Sequence, residues 1–310
     1  MVHKPVFYKH TFAALFSVFG IKFSRGVGMM LIASFAFGLM NVSVKMIKGM
    51  PVAEVVLFRA FVQIAIGYLT LLKLGVSPLG KRKGLLLQRG LFGSLGLLCY
   101  FYTLQEMPLG NAIIIHYLAP VLTTILAIWM AEEKVIGIQW LFFALSFLGV
   151  VVVNSAGFNV PLIPMLAGFG GAFFSALAYN TIKKMKGVED PNVVVLYFPL
   201  VSVPIALSWF VYKPGDWVWP AGMEWFWLLA TGVTTQVGQF FMTRAYQEDT
   251  ASRMSAVSYV GILWGAGAGL LVFDERYTFL QYIGMALVVM GVVLNIHARK
   301  VKDFFAPGEE

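Results

Sequence analysis

The stretch NAIIIHYLAP, residues 111–120, places an imidazole, a phenol and a proline inside an apolar run that continues as VLTTILAIWMA. Histidine changes charge more readily near neutral pH than other side chains, so His116 can bind a polar group or take up a proton. Pro120 removes a helix hydrogen bond and frees the carbonyl of His116, four residues earlier. Two readings are open: a packing kink beside a satisfied histidine, or two residues facing a polar cavity. A later run holds Thr234, Thr235, Gln236 and Gln239. Gln236 and Gln239 are three residues apart and share a helix face. Amides at membrane depth need either a wet cavity or another helix. Asn41, Ser43, Ser175, Tyr179 and Asn180 are further polar groups in apolar surroundings. Arg59 either snorkels to an interface, pairs with Glu54, or offers a fixed charge to a carboxylate or phosphate. Arg244 and Arg253 read first as anchors of helix ends, and Glu133 and Glu275 as structural ion pairs or caps.

Such groups must be carried by elements that suit a bilayer. Of the 310 residues, 59% are hydrophobic and 12% charged, against about 25% charged in a soluble domain. Apolar runs of about 20 residues recur, the length that crosses a hydrocarbon core. The chain is expected to be an all-α polytopic membrane protein with ten transmembrane helices, near 27–47, 54–72, 85–104, 111–131, 136–154, 163–183, 193–212, 224–243, 253–273 and 277–297. The connections leave no room for a soluble domain. GVGMM after Arg25 lacks the Lys-Ser/Thr of a phosphate cradle, the single Cys99 makes no internal disulfide, and His and Cys show no metal spacing. No catalytic residue, metal or cofactor is expected. An enzyme of the bilayer would need converging catalytic groups such as an Asp pair or a Ser-His arrangement, and the spans hold no Asp pair and no metal motif.

Lys and Arg fix the orientation. With the N-terminus inside, the outer side keeps only Lys45, Lys48, Lys213 and Arg276, Arg59 lies within a span, and the remaining Lys and Arg are cytoplasmic. Both termini are then cytoplasmic in an inner (plasma) membrane. The net charge of +8 follows from topology and anionic lipid, so no nucleic-acid partner is needed. Residues 1–25 read as a basic arm on the cytoplasmic leaflet and 299–310 as a cytoplasmic tail.

The chain repeats itself. A shift of 142 residues lays HYLAP (116–120) on SYVGI (258–262), Tyr117 on Tyr259, Glu133 on Glu275 and Gly149 on Gly291. A shift of 138 lays KMIKG (45–49) on KKMKG (183–187), Phe35 on Phe173 and Asn41 on Tyr179. Residues 26–154 and 155–298 are thus two copies of a five-span unit. Five is odd, so the copies run in opposite orientations. Inverted repeats recur among secondary transporters, with the site at the midplane between them. The glycines Gly90, Gly93, Gly96, Gly265 and Gly269 read as packing positions, and Phe35, Phe37, Phe173 and Phe174 as vestibule, lipid-facing or core residues.

The segment FYTLQEMPLGNAIIIHYLAPVLTTILAIWMAEEKVIGIQWLFFALSFLGVVVVN resembles the signature half of EamA-type carriers in the drug/metabolite transporter superfamily, through Tyr102, Leu104, Pro108, Pro120, Glu133 and Gly149. The second copy is similar at Ala245, Tyr246, Ala251, Glu275 and Gly291, with Ile262 where the pattern often has proline. The resemblance covers residues 26–297. It implies ten helices in inverted repeats, a central cavity lined by spans 1, 3, 4, 6, 8 and 9, and a small-metabolite cargo.

The expected protein is therefore a secondary-active exporter of amino acids or related polar or zwitterionic metabolites, working by alternating access. Uptake or exchange of a nucleotide-like metabolite such as S-adenosylmethionine, and export of hydrophobic drugs, are the alternatives. The expected substrate contacts are His116, Tyr117, Gln236, Gln239, Tyr259, Asn41, Tyr179 and Arg59. Proton coupling, through His116, is the one driving force hinted at, and a monomer or homodimer is expected in the bilayer.

Overall fold

Ser24 opens the first helix. Its hydroxyl oxygen accepts the N–H of Val27, and the same hydroxyl donates to the Asp249 carboxylate. The computed structural model describes residues 24–47, 49–106, 115–153, 162–272 and 276–298. The first half holds α1 (Arg25–Met46), α2 (Val52–Leu74), α3 (Lys83–Glu106), α4 (Ala119–Met130) and α5 (Gly137–Val153). The second holds α6 (Leu162–Lys184), α7 (Pro191–Tyr212), a 3-10 turn at Pro214–Asp216, α8 (Glu224–Glu248), α9 (Ala251–Ser258), α10 (Gly261–Val272) and α11 (Phe279–Ile296). The ends follow local chemistry. Asp190 caps α7, with Pro191 in its first turn where a missing N–H costs little. Thr278 and Gln281 form a reciprocal capping box at α11. Gly75, at φ 65°, closes α2 in a left-handed conformation.

Among the described residues the structure is all helical. Seven segments are long and apolar enough to cross a membrane: α1, α2, α3, α6, α7, the α9–α10 stretch Ala251–Val272, and α11; α4 and α5 are shorter apolar helices. α8, 25 residues long, falls outside that set because Thr and Gln interrupt its apolar surface. Large apolar side chains such as Leu141, Ile163 and Leu271 face outward, as a lipid-facing surface requires.

The helices pack in matched pairs. α1 lies along α8 and α3 along α6; α2 crosses α7, and α5 crosses α11. α3 meets α7 while α2 meets α8, and α4 meets α6 while α1 meets α10. Glycines permit the closest crossing. A Cβ on Gly149 of α5 would come within 2.6 Å of the Gly284 carbonyl of α11, and one on Gly291 of α11 would strike Ser146 of α5. These two glycines are the positions that the internal shift superposes.

One end of the bundle is tied by polar groups. Glu133, after α4, accepts the N–H groups of Ala251 and Ser252 at 2.7 and 3.3 Å and pairs with Lys183 of α6 at 3.3 Å. Lys183 also donates to the carbonyl of Asp249. Glu189 accepts the backbone N–H groups of Lys81 and Arg82, and Tyr197 donates to the carbonyl of Leu79. Arg253 pairs with Asp249 at 3.2 Å. Glu133 is thus both cap and ion pair; Glu275 lies outside the described residues. Burial acts to raise the Asp249 carboxyl, but the Ser24 hydroxyl, the Thr250 N–H and Arg253 together hold it below its ordinary value.

Two outcomes follow. Gly149→Val should overpack the α5–α11 crossing by about 1–3 kcal/mol and lower the unfolding temperature in detergent, whereas Gly28→Ala, whose Cβ meets nothing within 4 Å, should not. A carboxyl depressed in the folded state stabilises above its unfolded pKa of about 3.9, and that contribution is lost as pH falls through the lower folded value. Thermal unfolding scanned downward from pH 6 should show this acid-side loss in the parent and a shallower one in Asp249→Asn.

Candidate functional site

The run around His116 is not one continuous helix. Ile115 and His116 end a helical turn, Tyr117 and Leu118 form a turn closed by Leu118 N–H to Ile115 O at 3.1 Å, and α4 starts at Ala119. Residues 111–114 lie outside the described residues. Pro120 therefore does not kink a mid-helix position: it occupies the first turn of α4, where no N–H is needed. The second copy breaks at Tyr259–Val260, the superposed positions, with Ile262 in place of the proline. There the break is a tight turn in which Val260 and Ile262 donate back three residues, to Val257 and Tyr259.

The two breaks meet. The rings of Tyr117 and Tyr259 stack at 5.5 Å, and the Tyr259 hydroxyl donates to the Tyr117 carbonyl at 3.0 Å. Gly261 leaves room for the Tyr117 hydroxyl, which lies 2.9 Å from where a Cβ would stand. His116 stacks on Tyr100 of α3 at 4.0 Å, with Nδ1 buried and without a partner. Tyr179 of α6 stacks on Tyr246 of α8 at 5.2 Å.

These pairs border a cavity of about 740 Å³ between the two halves. Its wall reaches from Tyr246 and His116 to Lys45, Met50 and Gln281, at the end where α1 finishes, opposite the polar tie around Glu133. Of the expected contacts, His116, Tyr117, Gln239, Asn41, Tyr179 and Arg59 line it. Two do not. Tyr259 is wholly buried behind Tyr117. Gln236 turns toward α2, its Nε2 standing 3.6 Å from where a Cβ on Gly67 would be, and its Oε1 has no partner. Asn180 donates to the carbonyls of Thr123 and Ala176, so it joins α6 to α4.

Arg59 neither snorkels nor pairs with Glu54. It is 1% exposed and its Nε and Nη2 lack partners, while Glu54 Oε2 accepts the Val218 N–H. Its guanidinium turns to the Phe198 ring of α7 on the cavity wall. Arg89, one of the cations expected on the cytoplasmic side, lies inside α3, 2% exposed, on the cavity wall. Its Nη2 donates to Gln239 Oε1 at 2.8 Å, and its guanidinium occupies the space a side chain on Gly93 would fill. The Phe198 ring of α7 lies under both cations, 5.3 Å from Arg59 Cζ and 4.9 Å from Arg89 Cζ. The sequence carried a signal for Arg89: Gly93 and Gly96 follow at helical spacing, marking an inward face. Gly265 corrects the packing reading of its motif, because a Cβ there meets nothing within 4 Å and the residue borders the cavity. Phe37 lines the cavity, whereas Phe35 and Phe173 are exposed on the outer surface. No Asp or Glu lines the cavity among the described residues.

A family model described as the EamA-like transporter family matches residues 24–155 and 162–296. The pseudopaline exporter of Pseudomonas aeruginosa is 31% identical over 280 residues, covering 89% of this chain and 97% of that protein. The S-adenosylmethionine uptake transporter of Rickettsia felis is 23% identical over 220 residues, covering 68% and 71%. A solved crystal structure shares the fold with a TM-score of 0.80 at 20% identity, over 91% of this chain and 100% of the other.

Removing the Tyr259 hydroxyl strips the Tyr117 carbonyl of its partner in a dry setting, at a cost of about 0.5–1.5 kcal/mol. Tyr259→Phe should lower the unfolding temperature in detergent measurably more than Tyr117→Phe, whose hydroxyl faces the cavity.

Proposed function

Because the chain belongs to the EamA-like transporter family, a family of transporters rather than enzymes, we propose that it is a secondary carrier exporting amino acids or related polar metabolites. It works by alternating access of two inverted five-helix repeats, ten spans in all, divided at residues 154 and 155. The observation that carries this reading is a central cavity walled by both halves, lying away from the polar tie that Glu133 and Lys183 make between them. The helix pairings support the repeat: exchanging the first five spans with the second five turns α1–α8 into α3–α6, α3–α7 into α2–α8, and α4–α6 into the contact of α1 with α10. The superposed breaks at Tyr117 and Tyr259 support it too. A carrier assembled from discontinuous helices keeps irregular backbone where it borders the substrate path.

In this reading both termini are cytoplasmic, the protein sits in an inner membrane, and the tied end is the cytoplasmic one, so the cavity faces outward. Residues 1–25 and 299–310 are its cytoplasmic arm and tail. His116, Tyr117, Asn41, Tyr179, Arg59 and Gln239 contact the substrate, with Tyr259 and Gln236 supporting the wall from behind. His116 is the group through which a proton gradient acts. Uptake or exchange of a nucleotide-like metabolite such as S-adenosylmethionine is the second reading, favoured by the relative named for that activity and by the stacked aromatic pairs.

Counterflow in proteoliposomes tests it, with pools of amino acids, nucleosides, S-adenosylmethionine and nucleotide sugars, with and without an imposed pH gradient. Saturable exchange of one labelled class is expected, with a response to the gradient that His116→Gln removes while exchange persists. Absence of exchange from every pool would overturn the carrier reading.

A further inference from the structure

Arg59 and Arg89 enter the cavity wall from different helices, α2 and α3, and both are almost wholly buried. Neither meets a carboxylate. Arg59 leaves Nε and Nη2 without partners, and Arg89 leaves Nε without one; among the described residues Arg89 donates to the neutral amide of Gln239. No Asp or Glu lines the cavity among the described residues. A buried charge with no counter-charge costs several kcal/mol, which a protein retains where something else supplies the opposite sign. Phe198 holds the two guanidinium groups against its ring, and the sum of 5.3 and 4.9 Å bounds the separation of their centres. The ring offsets part of each charge, and both arginines border the same cavity.

We infer that the substrate is an anion with two oxyanion groups, a dicarboxylate or a carboxylate-phosphate, bound with one oxyanion on Arg59 and the other on Arg89. The inference rests on the carrier reading above and sharpens it from polar or zwitterionic metabolites to dianions. Guanidinium forks match carboxylate and phosphate oxygens pairwise. Gln239 and the space left by Gly93 set the direction of the Arg89 fork. The stacked pairs His116–Tyr100 and Tyr179–Tyr246 wall the space on which the remainder of the molecule lies. A cation would meet two like charges and no acid on this wall, so a sulfonium such as S-adenosylmethionine fits it poorly.

Binding is read first without transport, as thermal stabilisation of the detergent-purified full chain. The probes are glutarate and adipate, 3-phosphoglycerate, butyrate, glutaramide, putrescine and S-adenosylmethionine. Stabilisation by the dicarboxylates or by 3-phosphoglycerate is expected, with a weaker effect from butyrate and none from the diamide or the cations; the first two probe types separate the carboxylate from the phosphate source. Arg59→Gln and Arg89→Gln should each weaken the dianion effect roughly 10- to 100-fold, as loss of one charge-assisted contact implies. Gln239→Glu supplies an internal anion to Arg89: it should raise the unfolding temperature and abolish the dianion effect, which keeps the inference testable if an arginine variant does not fold. Stabilisation by cations or by the diamide instead of dianions, or dianion binding indifferent to both arginines, would overturn it. Counterflow separates the two readings. With glutarate, adipate and 3-phosphoglycerate added to the counterflow pools, exchange of neutral or cationic solutes alone removes the dianion and leaves the carrier, whereas arginine-dependent dianion binding without counterflow in any pool removes the carrier and leaves the site.

Discussion

A carbonyl oxygen at the depth of a bilayer has no water to turn to, and the phenol of Tyr259 answers the carbonyl of Tyr117 where two interrupted spans meet. The interruption of one half supplies the donor, and that of the other receives it. Around this contact the α9 helix is held at its far end by Glu133 on the N–H groups of Ala251 and Ser252, so an eight-residue helix is fixed at both termini by the opposite half. His116 and Tyr117 face the cavity because the backbone turns there. A continuous helix through Pro120 would have carried them past it and lost a hydrogen bond in doing so.

The charges are divided with the same economy. Glu133, Lys183, Asp249 and Arg253 gather at one end, where Glu133 of the first half pairs with Lys183 of the second and Asp249 pairs with Arg253 within the second. Arg59 and Arg89 on the cavity wall meet no acid among the described residues. Contacts of the first kind are largely shielded, the Lys183 and Glu133 side chains being 15% and 8% exposed, and they hold that end together. Buried guanidinium groups answer instead to whatever enters beside them.

Much of this was written in the residues. The pairing of Tyr117 with Tyr259 and of Gly149 with Gly291 came from a fixed shift along the chain, and both pairs lie at crossings between the halves. The cavity positions of His116 and Gln239 followed from polar groups in apolar runs. What escaped reading was depth. Arg89 follows Lys81, Arg82 and Lys83 closely enough to pass for a fourth loop cation, and only the start of α3 at Lys83 carries it inward. Gln236 shares a helix face with Gln239, but three residues along a helix are 60° of rotation at about 100° per residue, enough to turn one amide to the cavity and the other toward α2. Gly265 shows the same limit: small-residue spacing says that a backbone can be approached, not what approaches it.

The polarity of α8 bears on how the molecule is made. Thr231, Thr234 and Thr235 return their hydroxyls to carbonyls one turn earlier, which hides part of that polarity, but Gln236 and Gln239 cannot be hidden in this way. Taken singly, such a segment partitions weakly from the insertion machinery into lipid, where polar side chains at the helix centre are penalised. Its most extensive partner is α1, synthesised at the other end of the chain, and its Gln239 waits on Arg89 of α3. Biogenesis of the second half is therefore templated by the first: α8 settles in the bilayer as the missing stave of a barrel already standing, and the seam it closes is the one that borders the cavity.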